Sequence, residues 1–212
     1  MKRIDVLPDD VLLDIFDFYL KTYSPLKTAT EKWQSLVHVC RRWRSLVLGS
    51  PRRLNLRLCC MVATATRKTL DVWPALPLII MDDDINDTPV DNLISVLEHS
   101  DRICQINLFC FFRTTSQIEK VGAAIQVPFL ELTALRLESQ HSPSETTPVV
   151  PDSFLGKSAL RLRLLTFVSI PFPGLKNLLL STTHLVELHL SGVSHSGYIS
   201  PATCLSVLTS LE

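Results

Sequence analysis

From Pro8 onward the apolar residues fall at Pro8, Val11, Leu12, Ile15, Phe16 and Tyr19, the i, i+3, i+4, i+7, i+8 spacing of one helix face. Pro8 suits the first helical position, where a missing N–H costs nothing, and Asp9 and Asp10 follow where the helix dipole favours negative charge. Leu13 and Phe18 lie off that face, so the helix carries apolar surface on more than one side, a first pointer to a partner. A polar stretch from Lys21 to Thr30 interrupts the pattern, and Thr28-Ala29-Thr30-Glu31 then reads as a capping box. The second apolar set is Trp33, Leu36, Val37, Cys40, Trp43 and Val47. It predicts one helix, or two short helices bent near Arg41, stopping at Gly49-Ser50-Pro51.

Farther along, the period changes. A short L-x-x-L-x-L pattern recurs with substitutions, starting at Ile103, Leu132, Leu162 and Leu185, in steps of 29, 30 and 23 residues. The next leucine in phase is Leu211. Each L-x-L predicts a short strand with one buried face. Between the strands the spacing turns helical: Val90, Leu93, Ile94 and Leu97 after Thr88-Pro89; Ile118, Val121 and Ile125 before Val127-Pro128; Leu175, Leu178 and Leu179 after Pro173; Leu205 and Leu208 after Ser200-Pro201. Pro77-Leu78-Ile79-Ile80-Met81 is a further, less regular strand.

Composition narrows the function classes. Hydrophobic residues make up 46% of the 212 positions and charged residues 20%, which excludes a disordered polyelectrolyte. Twenty-one Lys and Arg cancel 21 Asp and Glu, so no global charge draws the chain to nucleic acid or anionic lipid. No apolar run is long enough for a membrane span, and the early turn to acidic residues (Asp5, Asp9, Asp10) is unlike a signal peptide. The six cysteines form no C-x-x-C pair, which fits reduced thiols and a cytoplasmic or nuclear protein.

The chain has no G-x-S-x-G, H-E-x-x-H, Rossmann or P-loop fingerprint, and only six glycines. His184, His189 and His195 are close in sequence, but Cys204 is not at ligand spacing; no metal and no cofactor is expected. Asp82-Asp83-Asp84 with Asp87 reads as a solvated loop after a strand. From Lys32 to Lys68 nine basic residues occur without an acid. Nucleic-acid binding is one reading of that stretch; the favoured one is a basic helix end, with Arg41, Arg42 and Arg44 matching a C-terminal dipole.

Leu7-Pro8-Asp9-Asp10-Val11-Leu12-Leu13-Asp14-Ile15-Phe16, followed by Leu36-Val37-His38-Val39-Cys40-Arg41-Arg42-Trp43, resembles an F-box: an LP pair opening a helix, an I-F pair one to two turns on, and a late V-C-x-x-W. The connection from Lys21 to Thr30 is longer than in compact members. Residues from about 76 onward resemble irregular leucine-rich repeats, though the usual Asn or Cys three after the last leucine is replaced by Phe111, Gln140, Ile170 and Val193. The Asn ladder is therefore absent, and sheet-to-helix packing is expected to hold the turns.

Together these resemble an F-box protein of the fungal type with leucine-rich repeats. The implied fold is α+β: all-α F-box helices over 1–51, a basic linker with a first strand over 52–75, and a partial leucine-rich-repeat α/β solenoid with parallel strands over 76–212. The implied function is non-enzymatic, a substrate-recruiting subunit of an SCF-type cullin ubiquitin ligase. A repeat scaffold binding nucleic acid or protein without a ligase role is the alternative.

Leu7, Pro8, Leu12, Ile15, Phe16, Leu36, Val39, Cys40 and Trp43 would divide between the module's core and a Skp-type adaptor. On the repeats, the x positions would face a protein target from the concave side: Gln105, Asn107 and Phe109; Ala134, Arg136 and Glu138; Leu164, Thr166 and Val168; Glu187, His189 and Ser191. Because the chain stops on Leu211-Glu212, a truncated array is expected, with a mobile or self-associating edge from about Ser194.

Overall fold

The computed structural model describes residues 7–21, 32–61, 70–82, 90–112, 115–139, 150–170, 172–192, 200 and 202. The Thr28–Glu31 cap, the Thr88-Pro89 helix start, the acidic run beyond Asp82, positions 140 and 193, the side chains of Phe111 and Ile118, and the helix and edge expected beyond Ser194 lie outside them. The chain forms two compact units, Met1–Cys59 with Trp73–Pro77, and Cys60–Val72 with Leu78–Glu212.

Among its described residues the smaller unit holds three helices: α1 (Asp9–Lys21), α2 (Lys32–Val37) and α3 (Arg41–Gly49). The break between α2 and α3 falls at residues 38–40, where extended Cys40 starts α3, as the bend near Arg41 predicts. Gly49 and Ser50 end it, again as expected. The buried face of α1 differs from the predicted one. Leu12, Leu13 and Phe16 are buried, whereas Val11, Ile15 and Tyr19 are exposed. The reason is that α1 turns the Leu12–Leu13–Phe16 side inward; Leu13, which the periodicity left off the face, belongs to the core.

Trp33 anchors that core. It is fully buried, its indole N–H donates to the Arg57 carbonyl at 2.9 Å, and its ring meets Trp73 edge-on at 4.8 Å. Phe16 packs on Trp43 at 4.7 Å, and Leu36, Val37, Val47, Leu54, Leu56 and Leu58 complete the interior. A large ring whose polar tip is also satisfied joins apolar burial to a hydrogen bond.

The larger unit is α/β. Its sheet runs β1 (Leu58–Met61), β2 (Leu78–Met81), β3 (Ile103–Phe112), β4 (Ala134–Ser139), β5 (Leu164–Val168) and β6 (Glu187–Ser191) in chain order, with Cys60 and Met61 of β1 in this unit. All pairings from β2 to β6 are parallel. The crossovers carry α4 (Val90–Leu97), α5 (Thr115–Ala124), a 3₁₀ turn (Phe154–Lys157) and α6 (Leu175–Ser181). Helix α4 packs on α5, and α6 on the 3₁₀ turn, so the crossover layer keeps the order of the strands.

Register explains the repeated leucines. Ile80, Ile106, Leu135, Leu165 and Leu188 stand opposite one another across five strands, and Leu108, Leu137, Phe167 and Leu190 across four. Those on β2 to β5 are buried, as are Leu93, Leu97, Val121, Leu178 and Leu179 of the helices. Instead of an Asn ladder, the residues that precede the strands bond to one another: Thr133 N–H to the Cys104 carbonyl at 2.8 Å, Arg163 to Thr133 at 2.9 Å, and Val186 to Arg163 at 2.8 Å.

Among the described residues, the crossover before β5 carries only the 3₁₀ turn. Phe154 fills the helix's place, clustered with Phe172 at 5.4 Å and Phe167 at 6.2 Å. Leu155, Gly156 and Lys157 take positive φ there, and a Cβ on Gly156 would lie 2.8 Å from the Pro128 nitrogen.

Two substitutions test these anchors. Trp33→Ala is expected to destabilise the smaller unit by about 3–5 kcal/mol, read as a lower denaturant midpoint. Gly156→Ala, strained in φ and against Pro128, is expected to destabilise the larger unit by more than about 1 kcal/mol, with Gly49→Ala, which meets nothing, as the control.

Candidate docking surfaces

Helix α1 leaves an apolar stripe outside its core. Val11, Ile15 and Phe18 follow at i, i+4 and i+7, flanked by Pro8 and Tyr19, and Ile15 and Phe18 are 47% and 71% exposed. Between α2 and α3, Val39 is 58% exposed, next to exposed Cys40. Of the nine residues expected to share core and adaptor roles, Leu12, Phe16 and Leu36 are buried, and Pro8, Ile15, Val39 and Cys40 are exposed. Leu7 and Trp43 are half-buried. The periodicity missed Val11, Phe18 and Tyr19 as surface residues, although Phe18's position off the expected face was the available signal.

Arginines from the basic stretch hold this surface in place. Arg42 donates through Nε and Nη2 to Asp9 Oδ1 at 3.0 and 2.6 Å, and Nη2 also reaches the Leu7 carbonyl. It thereby clamps the Leu7-Pro8-Asp9 corner to α3. Arg53 pairs with Asp14, and Arg44 Nε donates to the Val37 carbonyl at 3.0 Å. The dipole expectation needs correction, because Arg41, Arg42 and Arg44 begin α3 instead of ending a helix. Arg44 satisfies a C-terminal carbonyl of α2, the preceding helix, and Arg42 is balanced by Asp9. Arg42 and Arg53, two of the nine basic residues of the stretch, are thus paired with carboxylates of α1.

On the sheet of the larger unit, the register brings the predicted x positions together. Gln105, Ala134, Leu164 and Glu187 form one row, and Asn107, Arg136, Thr166 and His189 the next, with Glu138, Val168 and Ser191 beyond. Arg136, Glu187, His189 and Ser191 are exposed, while Gln105, Asn107, Phe109, Ala134, Glu138, Leu164 and Val168 are half-buried. Thr166 is buried between its longer neighbours Arg136 and His189. The Arg136 guanidinium lies over the Phe109 ring at 4.4 Å and 3.8 Å from the Glu138 carboxylate. The face is thus mixed, aromatic and cationic at one edge and apolar at Leu164 and Val168.

Among the described residues no group of His, Cys, Asp and Glu is arranged to hold a metal, and no helix is long and apolar enough to cross a membrane. Cys40, Cys59, Cys60 and Cys104 take part in no disulfide. No curated protein and no solved structure matches the chain. A family model described as F-box-like matches residues 4–60. The smaller unit is therefore similar to F-box-like domains, which in general bind Skp-type adaptors and act as non-enzymatic adaptors of SCF-type ligases.

Proposed function

We propose that this protein is a substrate-recruiting F-box subunit of an SCF-type cullin ubiquitin ligase. The observation that carries the reading is the coincidence of the F-box-like match over residues 4–60 with an apolar stripe that its own core leaves uncovered. Pro8, Ile15, Val39 and Cys40, with Leu7 and Trp43 at the margin, are the adaptor-facing residues in this reading, joined by Val11, Phe18 and Tyr19. Leu12, Phe16 and Leu36 support them from inside.

The larger unit is read as an irregular leucine-rich-repeat solenoid that binds a protein target. In-register apolar rows, parallel strands in chain order and a crossover layer in the same order support that reading. The target would meet Gln105, Asn107, Phe109, Arg136, Glu138, Leu164, Val168, Glu187 and His189. Catalysis belongs to the assembled ligase, and this chain contributes proximity between target and ubiquitin donor.

Co-expression with a Skp-type adaptor, followed by size exclusion, tests the reading. The wild-type chain is expected to co-elute with the adaptor. Leu7→Ala/Pro8→Ala and Ile15→Asp/Val39→Asp are each expected to abolish co-elution while the far-UV circular dichroism and the unfolding of the larger unit stay unchanged. Co-elution that survives both double variants would remove the F-box assignment of this surface. The complex is also expected to persist as salt rises from about 0.1 to about 0.5 M, since apolar docking is weakly screened and phosphate binding falls steeply.

A further inference from the structure

The segments leading into β4, β5 and β6 are held side by side by the N–H-to-carbonyl bonds from Arg163 to Thr133 and from Val186 to Arg163. Over them lies an open cleft of about 590 Å³ lined by Thr133, Arg161, Arg163, His184, Leu185 and Val186. Two guanidinium groups and an imidazole make its walls basic, and among the described residues no carboxylate lines it. Arg161 gives Nη1 to Glu131 just outside, one of five N–H groups on its fork. Among the described residues, the Arg163 guanidinium has no hydrogen-bond or ion-pair partner. The far wall is apolar, with half-buried Leu185 and with Val186 75% exposed.

These features select a ligand. Exposed guanidinium forks match the oxygens of a carboxylate or phosphoryl group, which they can hold in a two-pronged fashion. A lone oxyanion would occupy a small part of the volume and leave the Leu185–Val186 wall uncovered. The volume suits several residues of extended chain. Continuity points the same way, since Thr133, Arg163 and Val186 immediately precede Ala134, Leu164 and Glu187 of the proposed target-binding face.

We infer that this cleft takes an acidic, extended segment of a target protein, its oxyanion on Arg163 and Arg161 and a neighbouring apolar side chain on Leu185 and Val186. The inference rests on the recruitment reading above and adds the chemical class of segment recognised. The oxyanion is the carboxylate of an acidic residue or the phosphoryl group of a modified one, and the test separates the two.

Fluorescence anisotropy on the full chain, with labelled Ser-Leu-Glu-Leu-Ser, its phosphoserine counterpart and its Gln counterpart, provides the measurement. At least one acidic peptide is expected to bind, and the Gln peptide about tenfold more weakly, the loss of a charge-assisted contact. Arg163→Gln is expected to weaken the acidic peptides by a similar factor, while Lys120→Gln, exposed on α5, leaves them unchanged. A phosphoserine peptide that binds far more tightly than the Glu peptide identifies the phosphoryl source; similar affinities identify the carboxylate. Equal binding of the Gln peptide, no effect of Arg163→Gln in a normally folded protein, or no binding at millimolar peptide overturns the inference. Sensitivity to Arg136→Gln alone would move recognition to the sheet face and leave the recruitment reading intact; that reading fails separately, in the adaptor co-elution.

Discussion

The parallel register that sets Ile106, Leu135, Leu165 and Leu188 opposite one another is the constraint on which the larger unit depends. Side chains alternate across a strand, so a slip of one residue would turn a whole set of leucines from the core to solvent. Because the slip would cost every buried leucine on the strand, at about 1.5–3 kcal/mol each, register is strongly specified. Once it is set, the x positions have no choice but to line up on the other face, and the residues before each strand come into bonding distance. The candidate target face and the basic cleft are thus consequences of where the leucines go.

The smaller unit obeys a different limit. A domain of this size cannot bury all the apolar surface its helices carry. Trp33, Phe16, Leu12 and Val37 take the interior, and α1 keeps Val11, Ile15, Phe18 and Tyr19 outside. The surface ion pairs contribute little stability individually. Their effect is geometric: Arg42 joins Leu7 and Asp9 to α3, and Arg53 reaches Asp14, so the exposed stripe sits on a fixed helix.

Long-period signals were legible in the sequence. The repeated L-x-x-L-x-L marks β3 to β6, and the bend near Arg41 and the stop at Gly49 mark α3. Which side of α1 turns inward was not legible, because Val11, Leu12, Leu13, Ile15 and Phe16 cover more than half the circumference and packing partners decide. Trp73 as a partner for Trp33 was invisible for a similar reason, being 40 positions distant. The 3₁₀ turn at Phe154 broke the expected helix alternation, since a phenylalanine cluster can fill a crossover that lacks helical spacing. The cleft escaped notice because Arg161, Arg163 and His184 are unremarkable singly; only the strand register gathers them.

The two candidate surfaces differ in the physics of discrimination. An apolar stripe such as Pro8, Ile15 and Phe18 gains binding from area removed from water, a non-directional force that tolerates a constant partner and ignores ionic strength. The sheet face and cleft instead combine fixed guanidinium groups with apolar walls. A ligand lacking the acid would leave Arg163 desolvated without a partner, which penalises wrong targets more than it rewards the right one. An adaptor needs both kinds of surface on one chain, a permanent hold on its assembly and a selective one on its target. In the proposed reading, the apolar excess on α1 serves the assembly and the charge among the strands serves the target.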